Sequence, residues 1–393
     1  MKAALLPVPQ IGRSVIDSPR WTLRSQKSPS PWDSHDAIRE ELFSVERLET
    51  HARSLAAAQP VTPLKVKSHP LASRLAENGV ALNDAYLSIS EAAATGQAIT
   101  PAAEWLLDNY HLVERQFLEV RSDLPPGYYR QLPKLADGPF ATYPRVFGIV
   151  WAFVAHTDSL FDAEMLRRFV LAYQEVDVLT IGELWAISIT LRIVLVENLR
   201  RLADLIVKSR AARADANRLA DRLLEGRSGR IEPIQSVLAD WDDTPVSYAF
   251  AVQLLRRLHD QDARIIPALT WLEQRLASTG TTPDQAVTSE HLRQGAATVT
   301  VSNIISSLRM IASVDWADLF ESVSLVDNAL AADPTYASMD FATRNLYRNA
   351  IEELSRGSGT PELAIAQETL AIARTQGAKN RGCLLYTSDA ADE

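Results

Sequence analysis

The sequence predicts an all-α protein, a multi-helix bundle or irregular helical array of about a dozen helices with no sheet. Three observations carry this reading. Glycine is scarce, at 15 of 393 residues, and 47% of the chain is hydrophobic, with Ala, Leu, Glu and Arg dominant; such a composition favours helix at most positions. Apolar residues recur every three or four positions, as in the stripe Ile38, Leu42, Val45, Leu48 and Leu55. Thr-Pro then recurs as punctuation at Thr62-Pro63, Thr100-Pro101, Thr244-Pro245, Thr282-Pro283 and Thr360-Pro361. Threonine suits an N-cap, and proline suits the first helical position, where no donor is needed.

Taken in order, helices are expected at 36–58, 71–95, 101–121, 144–156, 162–175, 181–225, 245–263, 267–278, 283–313, 315–332, 340–356 and 361–376. Thr180 and Glu183 form a capping-box pattern at the start of the longest one. The β-branched run "ATVTVSNII" (297–305) is the weakest helical stretch. Residues 1–34, rich in Pro and Ser, read as a disordered arm. The helical remainder divides into subdomains at 35–230 and 231–378. The end, 379–393, has neither caps nor periodicity and reads as a non-native or disordered tail, which would make Cys383 non-native.

The net charge of −9 disfavours nucleic acid and anionic lipid as partners. A single cysteine excludes a disulfide framework. The apolar run that opens "MKAALLPVPQ" stops at Pro7, too short for a secretory signal. The longest apolar run, Leu184–Val196, contains Arg192 and would span about 20 Å as a helix. A bilayer core needs about 30 Å, so no membrane span is expected. The basic residues after Glu197 interleave with Asp204, Asp215, Asp221 and Glu225 and read as a solvated, salt-bridged face.

Several patterns could carry chemistry. Asp240-Trp241-Asp242 and Asp260-Gln261-Asp262 match a metal-diphosphate motif by letter, but both fall at expected helix ends. No glycine-rich phosphate loop or nucleophile elbow occurs. His156-Thr157-Asp158 could orient an imidazole for acid-base work. Alternatively His156 closes one helix while Asp158 or Ser159 caps the next. Glu183, Arg192 and Glu197 lie on an otherwise apolar helix. Arg192 and Glu197 are five apart, so they do not form the usual i,i+4 pair. If that helix is central, its charges need partners from elsewhere, forming either a locking network or a ligand pocket.

The stretch "LPPGYYRQLPKLADGPFATYPRV" (124–146) interrupts the helices with prolines and aromatics. Its Tyr128, Tyr129, Arg130, Lys134, Tyr143 and Arg145 could stack on sugars and hold phosphates, or could plug the loop into its own bundle.

Four segments give the chain a resemblance. "IREELFSVERLETHARSLAAAQ", the long run from "ITPAAEWLLDNY" through "AHTDSLFD", "LTIGELWAISITLRIVLVENLRRLAD" and "DPTYASMDFATRNLYRNAIEEL" resemble the N-terminal region of bacterial cyclic β-1,2-glucan synthases, from about Asp36 to about Ala378. The resemblance implies a multi-pass inner-membrane parent that polymerises glucose from UDP-glucose with a divalent metal and cyclises the product. It implies a piece on the cytoplasmic side whose partners are the transferase and transmembrane portions of its own chain. No catalytic residue, metal ligand or cofactor site of that family maps onto this sequence. Two other readings stand beside it. An α/α-toroid glycosidase or phosphorylase would need two facing carboxylates. A helical protein-interaction scaffold would need a groove.

Overall fold

The computed structural model describes residues 34–62, 71–123, 127–224, 233–242, 244–259, 261 and 263–377. The expected arm, except Ser34, and the expected tail with Cys383 lie outside them, as do Leu124, Pro125, Pro126, Asp260 and Asp262.

Sixteen α-helices and one two-stranded sheet are found among the described residues. The first half holds α1 (Val45–Ala58), β1 (Val61–Thr62), α2 (Leu71–Ala94), α3 (Pro101–Asp123), α4 (Tyr128–Gln131), β2 (Lys134–Leu135), α5 (Arg145–His156), α6 (Ala163–Gln174) and α7 (Ile181–Leu224). The second half holds α8 (Ile234–Ala239), α9 (Tyr248–Leu258), α10 (Ile266–Ser278), α11 (Pro283–Ser313), α12 (Trp316–Val323), α13 (Leu325–Leu330), α14 (Pro334–Ala337), α15 (Phe341–Ser358) and α16 (Glu362–Gly377). The all-α expectation holds. The sheet is the exception: β1 and β2 pair antiparallel, Val61 opposite Leu135 and Thr62 opposite Lys134.

Where a start signal is local, the helix begins at or next to the expected residue. Thr282 accepts from the Gln285 N–H while the Gln285 side chain accepts from Thr282, a complete capping box beneath α11. Other boundaries differ for physical reasons. Helix α1 begins at Val45 instead of 36, because Ser44 is its cap and residues 34–44 form a non-helical strap bound to other elements. Helix α9 is capped by Ser247, not Thr244. The expected helix over 315–332 is two helices, because Ser324 ends α12 and its hydroxyl caps α13. Helices α4, α8 and α14 have only four to six residues, too few to show a period. The β-branched run lies within α11, where Thr298 donates its hydroxyl to the carbonyl of Gln294. Burial of Ala297, Val301, Ile304 and Ile305 then outweighs the weak propensity.

Helix α7 has 44 residues and is about 66 Å long. Its first half runs through the larger apolar cluster, which takes residues from Ile38 to Ile206 and again from Ala297 to Ala366. Its end, from Ala216, joins a smaller cluster with α8, α9, α10 and the start of α11. The chain therefore leaves the large cluster after α7 and returns to it along α11.

The cap at Ser324 provides a simple check. Its hydroxyl accepts the Asp327 N–H at 3.1 Å in a buried setting. Ser324→Ala should lower stability by about 1 kcal/mol in urea unfolding with an unchanged m-value.

Candidate functional site

The chemistry-bearing side chains gather along the first half of α7, beginning with the clasp that follows α3. The carbonyl of Gly127, whose φ is +91°, accepts the Arg130 N–H at 3.0 Å in the turn that starts α4. From α4, the Tyr128 hydroxyl donates to the Gly182 carbonyl at 2.6 Å. Tyr129 is buried, 2.9 Å from the Thr190 hydroxyl. Thr190 donates its own proton to the Ala186 carbonyl, so Tyr129 is the donor of that pair. Burial raises both phenols above the usual tyrosine range, keeping them neutral donors. Lys134 is buried on β2 and donates to the Arg130 carbonyl at 3.1 Å, while the Arg130 side chain is exposed. Tyr143 is buried and stacks on Phe147, which in turn meets Phe140. Backbone bonds close the loop on itself: Leu135 to Tyr143, Thr142 to Leu135, and Arg145 to Pro133.

Arg145, at the start of α5, is the clasp's charged anchor. Its Nε and Nη2 hold both oxygens of Glu183 at 2.8 and 2.6 Å, Nη2 also reaches the Val178 carbonyl, and Nη1 meets Asp177. Glu183 is fully buried and also accepts the Thr180 N–H at 2.9 Å, completing the expected capping box. Burial opposes the Arg145 charge, but the bonds and charge of Glu183 overcome it and raise its pKa.

Fourteen residues along α7, a second cluster surrounds Glu197, which is 0% exposed. Its carboxylate accepts from Arg74 at 3.0 and 2.9 Å, Asn78 at 2.9 Å, Arg200 at 3.0 Å and Arg201 at 2.9 Å. Burial penalises this carboxylate, yet Arg74, Arg201 and Arg200 together hold it below its ordinary value of 4.5. The next residue, Asn198, grips the strap: it accepts the Ile38 N–H at 2.7 Å and donates to the Ile38 carbonyl at 3.1 Å. Arg201 donates to the Asp36 carbonyl of the same strap. Arg192 is buried on α7, while the cations on Glu197 are Arg74, Arg200 and Arg201.

His156 and Asp158 do not act as a pair. His156 is the last residue of α5, as expected, but its Nδ1 donates to the Glu41 carbonyl at 2.8 Å and its ring stacks on Phe43. Asp158 accepts from Arg39 at 3.2 Å and Thr300 at 2.7 Å, and its carbonyl accepts from Asn303. The expectation that Asp158 or Ser159 caps α6 is corrected: both have left-handed φ, and Asp162 is the cap.

A second correction concerns the basic residues after Glu197. Arg200 and Arg201 are buried, at 6% and 3% exposure, and are bound to Glu197 instead of lying on a solvated face. Only farther along does that reading apply, as at Arg218 with Asp215 and Arg257 with Asp221. Periodicity marked α7 as apolar but gave no sign that its two arginines turn inward. Arg74, Asn78, Asn198 and the buried Arg348–Asp327 pair also went unseen, because their partners lie on other helices or strap segments. Asp240 is held by Arg222, and Asp242 by the Trp271 indole, so this pair of carboxylates serves a helix end. Among the described residues, no three His, Cys, Asp or Glu side chains converge as a metal site.

Fold and site together define an all-α helical array in which, among the described residues, Glu183 and Glu197 are held by arginines and Tyr128 and Tyr129 donate to a carbonyl and a hydroxyl of α7. No protein-family model matches the chain. A curated relative does: the chain is 38% identical over 347 residues to "Cyclic beta-(1,2)-glucan synthase NdvB" of Rhizobium meliloti (strain 1021). The match covers 88% of this chain and 12% of that protein, so the chain is homologous to a small part of a glucan synthase. Among the described residues, no single helix is long and apolar enough to cross a membrane.

Two substitutions measure the site. Glu197→Gln removes the carboxylate that Arg74, Arg200 and Arg201 share and should cost roughly 3–5 kcal/mol in denaturant unfolding at pH 7. Because folding lowers the Glu197 pKa, its contribution is complete above about pH 4.5 and is lost as pH falls below that. The variant should therefore show a flatter acid limb than the wild type. Tyr129→Phe removes one donor to Thr190 and should cost about 1 kcal/mol with the helix content unchanged by circular dichroism.

Proposed function

We propose that this chain is a non-catalytic helical region of a cyclic β-1,2-glucan synthase, on the cytoplasmic side of the bacterial inner membrane, where it packs against the transferase portion and supports assembly and processivity. The observation that carries the reading is the 38% identity to NdvB over 347 residues, 88% of this chain. The side chains agree with a supporting role. Glu183, Glu197 and Asp158, three of the buried acids, are each bound by arginine or hydroxyl donors. Such a donor-crowded set does not fit a divalent metal, which needs free carboxylate oxygens. On this reading UDP-glucose and its metal belong to the transferase portion of the longer protein. Within this reading, exposed Arg130 on the clasp is the candidate contact with that portion, while Tyr128, Tyr129, Tyr143 and Arg145 hold the clasp in shape.

The test is deletion of the region corresponding to residues 36–377 from an intact synthase, with initiation, elongation and cyclisation assayed separately. The expected outcome is retained turnover of UDP-glucose with an altered glucan length distribution or a loss of assembled enzyme. Turnover of UDP-glucose by the purified region alone would overturn the proposal.

A further inference from the structure

Where α7 leaves the larger apolar cluster it passes the start of α3 and the first half of α11. The three helices enclose a cleft of about 380 Å³, counting its open mouth. Ligand sites run from roughly 300 to 1,000 Å³, so this one suits a single small unit. Its apolar lining comes from Leu205 and Ile206 of α7 and Ala297 of α11.

The polar groups of the cleft do not all satisfy one another. Glu290 on α11 is 3% exposed. Its Oε1 accepts from Arg213 of α7 at 3.3 Å and from Gln294 at 2.7 Å. Its Oε2 makes no hydrogen bond among the described residues and is open to the cleft. A carboxylate oxygen in so buried a residue is costly to leave without a donor, so the donor comes from whatever enters. Ser209 of α7 also has an unbonded hydroxyl among the described residues, although a helical serine commonly donates to the carbonyl four residues back. Arg293, exposed on α11, lines the same cleft and has no hydrogen-bond or ion-pair partner among the described residues. At the start of α3, Pro101 precedes Ala102, whose N–H is one of those a helix start leaves without an intrahelical acceptor.

We propose that this cleft binds one sugar unit of a glucan chain, with Glu290 Oε2 accepting from one hydroxyl while Arg293 and Ser209 donate to others. The class of ligand follows from charge. A cation would meet Arg213, Arg293 and the positive end of α3. An anion would meet the open oxygen of Glu290. A neutral ligand whose hydroxyls both donate and accept engages both kinds of group, and the C–H face of a hexose fits the aliphatic lining. The proposal rests on the reading of the chain as part of a glucan synthase, which supplies glucan as the hydroxyl-rich partner. It deepens that reading, because a held sugar keeps the growing chain with the enzyme between additions.

The test uses the whole chain and a β-1,2-linked glucose disaccharide, followed by calorimetry and backbone amide NMR. A Kd on the order of 1 mM is expected for so small a ligand, with shifts concentrated at Ala102, Ser209 and residues 290–297. Arg293→Ala and Glu290→Gln should each weaken binding about tenfold. Arg218→Ala, farther along α7 and outside the cleft, should leave it unchanged. Arg293 has no bonded partner to lose, so its variant decides should Glu290→Gln fail to fold. No shift at about 10 mM disaccharide, shifts confined to another surface, or binding that neither substitution weakens would overturn the sugar site. Binding of UDP or inorganic phosphate there, with the disaccharide silent, would overturn it too and mark an anion site. Binding is read on this chain alone, so a negative result removes the sugar site and leaves the supporting role to its own deletion test.

Discussion

A buried negative charge at Glu197 is the constraint around which the larger cluster is arranged. A carboxylate at 0% exposure in an apolar helix is costly unless it is paired and fully hydrogen-bonded. Glu197 satisfies this with two arginines from its own helix and Arg74 and Asn78 from α2. Those partners determine which face of α2 meets α7 and at what height. One turn of α7 then also determines the path of the strap, because Asn198 and Arg201 bind the backbone at Ile38 and Asp36. Apolar packing alone is tolerant of a slide by one turn; a saturated ion cluster is not.

The same device recurs wherever remote segments meet. Arg145 ties the clasp and α5 to the start of α7 through Glu183. Asp158 ties the α5–α6 turn to the strap through Arg39 and to α11 through Thr300. Arg348, fully buried on α15, holds α13 through Asp327 and α12 through Glu321, with its guanidinium over the rings of Phe320 and Phe341. Arginine suits these positions because its planar fork engages two oxygens at once and keeps its charge when buried. The clasp belongs to this scheme. Backbone bonds of Leu135, Thr142 and Arg145 close a loop from which Tyr128 and Tyr129 reach α7, and its Arg130 side chain is exposed beside them.

Much of the helix layout was legible because its signals are local. The starts of α3 and α11 fall where a threonine, a proline and the onset of a 3.6-residue period coincide, and α7 starts at its Thr180–Glu183 capping box. The capping boxes at Thr180 and Thr282 are complete in the structure. Failures occurred where the deciding partner is distant. Residues 36–44 have an apolar stripe that suits a helix, yet Asn198 and the end of α5 bind backbone groups of Ile38, Glu40 and Phe43 in a non-helical segment. The two-stranded pairing of Val61 with Leu135 joins residues 74 apart in sequence, and no alternation over two residues could announce it. Glu183, Arg192 and Glu197 were recognisable as anomalies on an apolar helix, but the identity of their partners was not.

By itself, the sequence determined the helical class, most helix starts, the presence of charges that a buried helix would have to neutralise, and a resemblance to glucan synthases that the NdvB match supports. These depend on composition, on spacing within a few residues and on motif identity. The tertiary structure alone decided which charges meet, that Arg200 and Arg201 turn inward, that the strap stays out of a helix, and that Glu362 accepts the first N–H of a helix beginning 181 residues before it. The reason is physical: a helix start is stabilised within one turn of chain, whereas a buried charge is satisfied by whatever the fold brings within 3 Å.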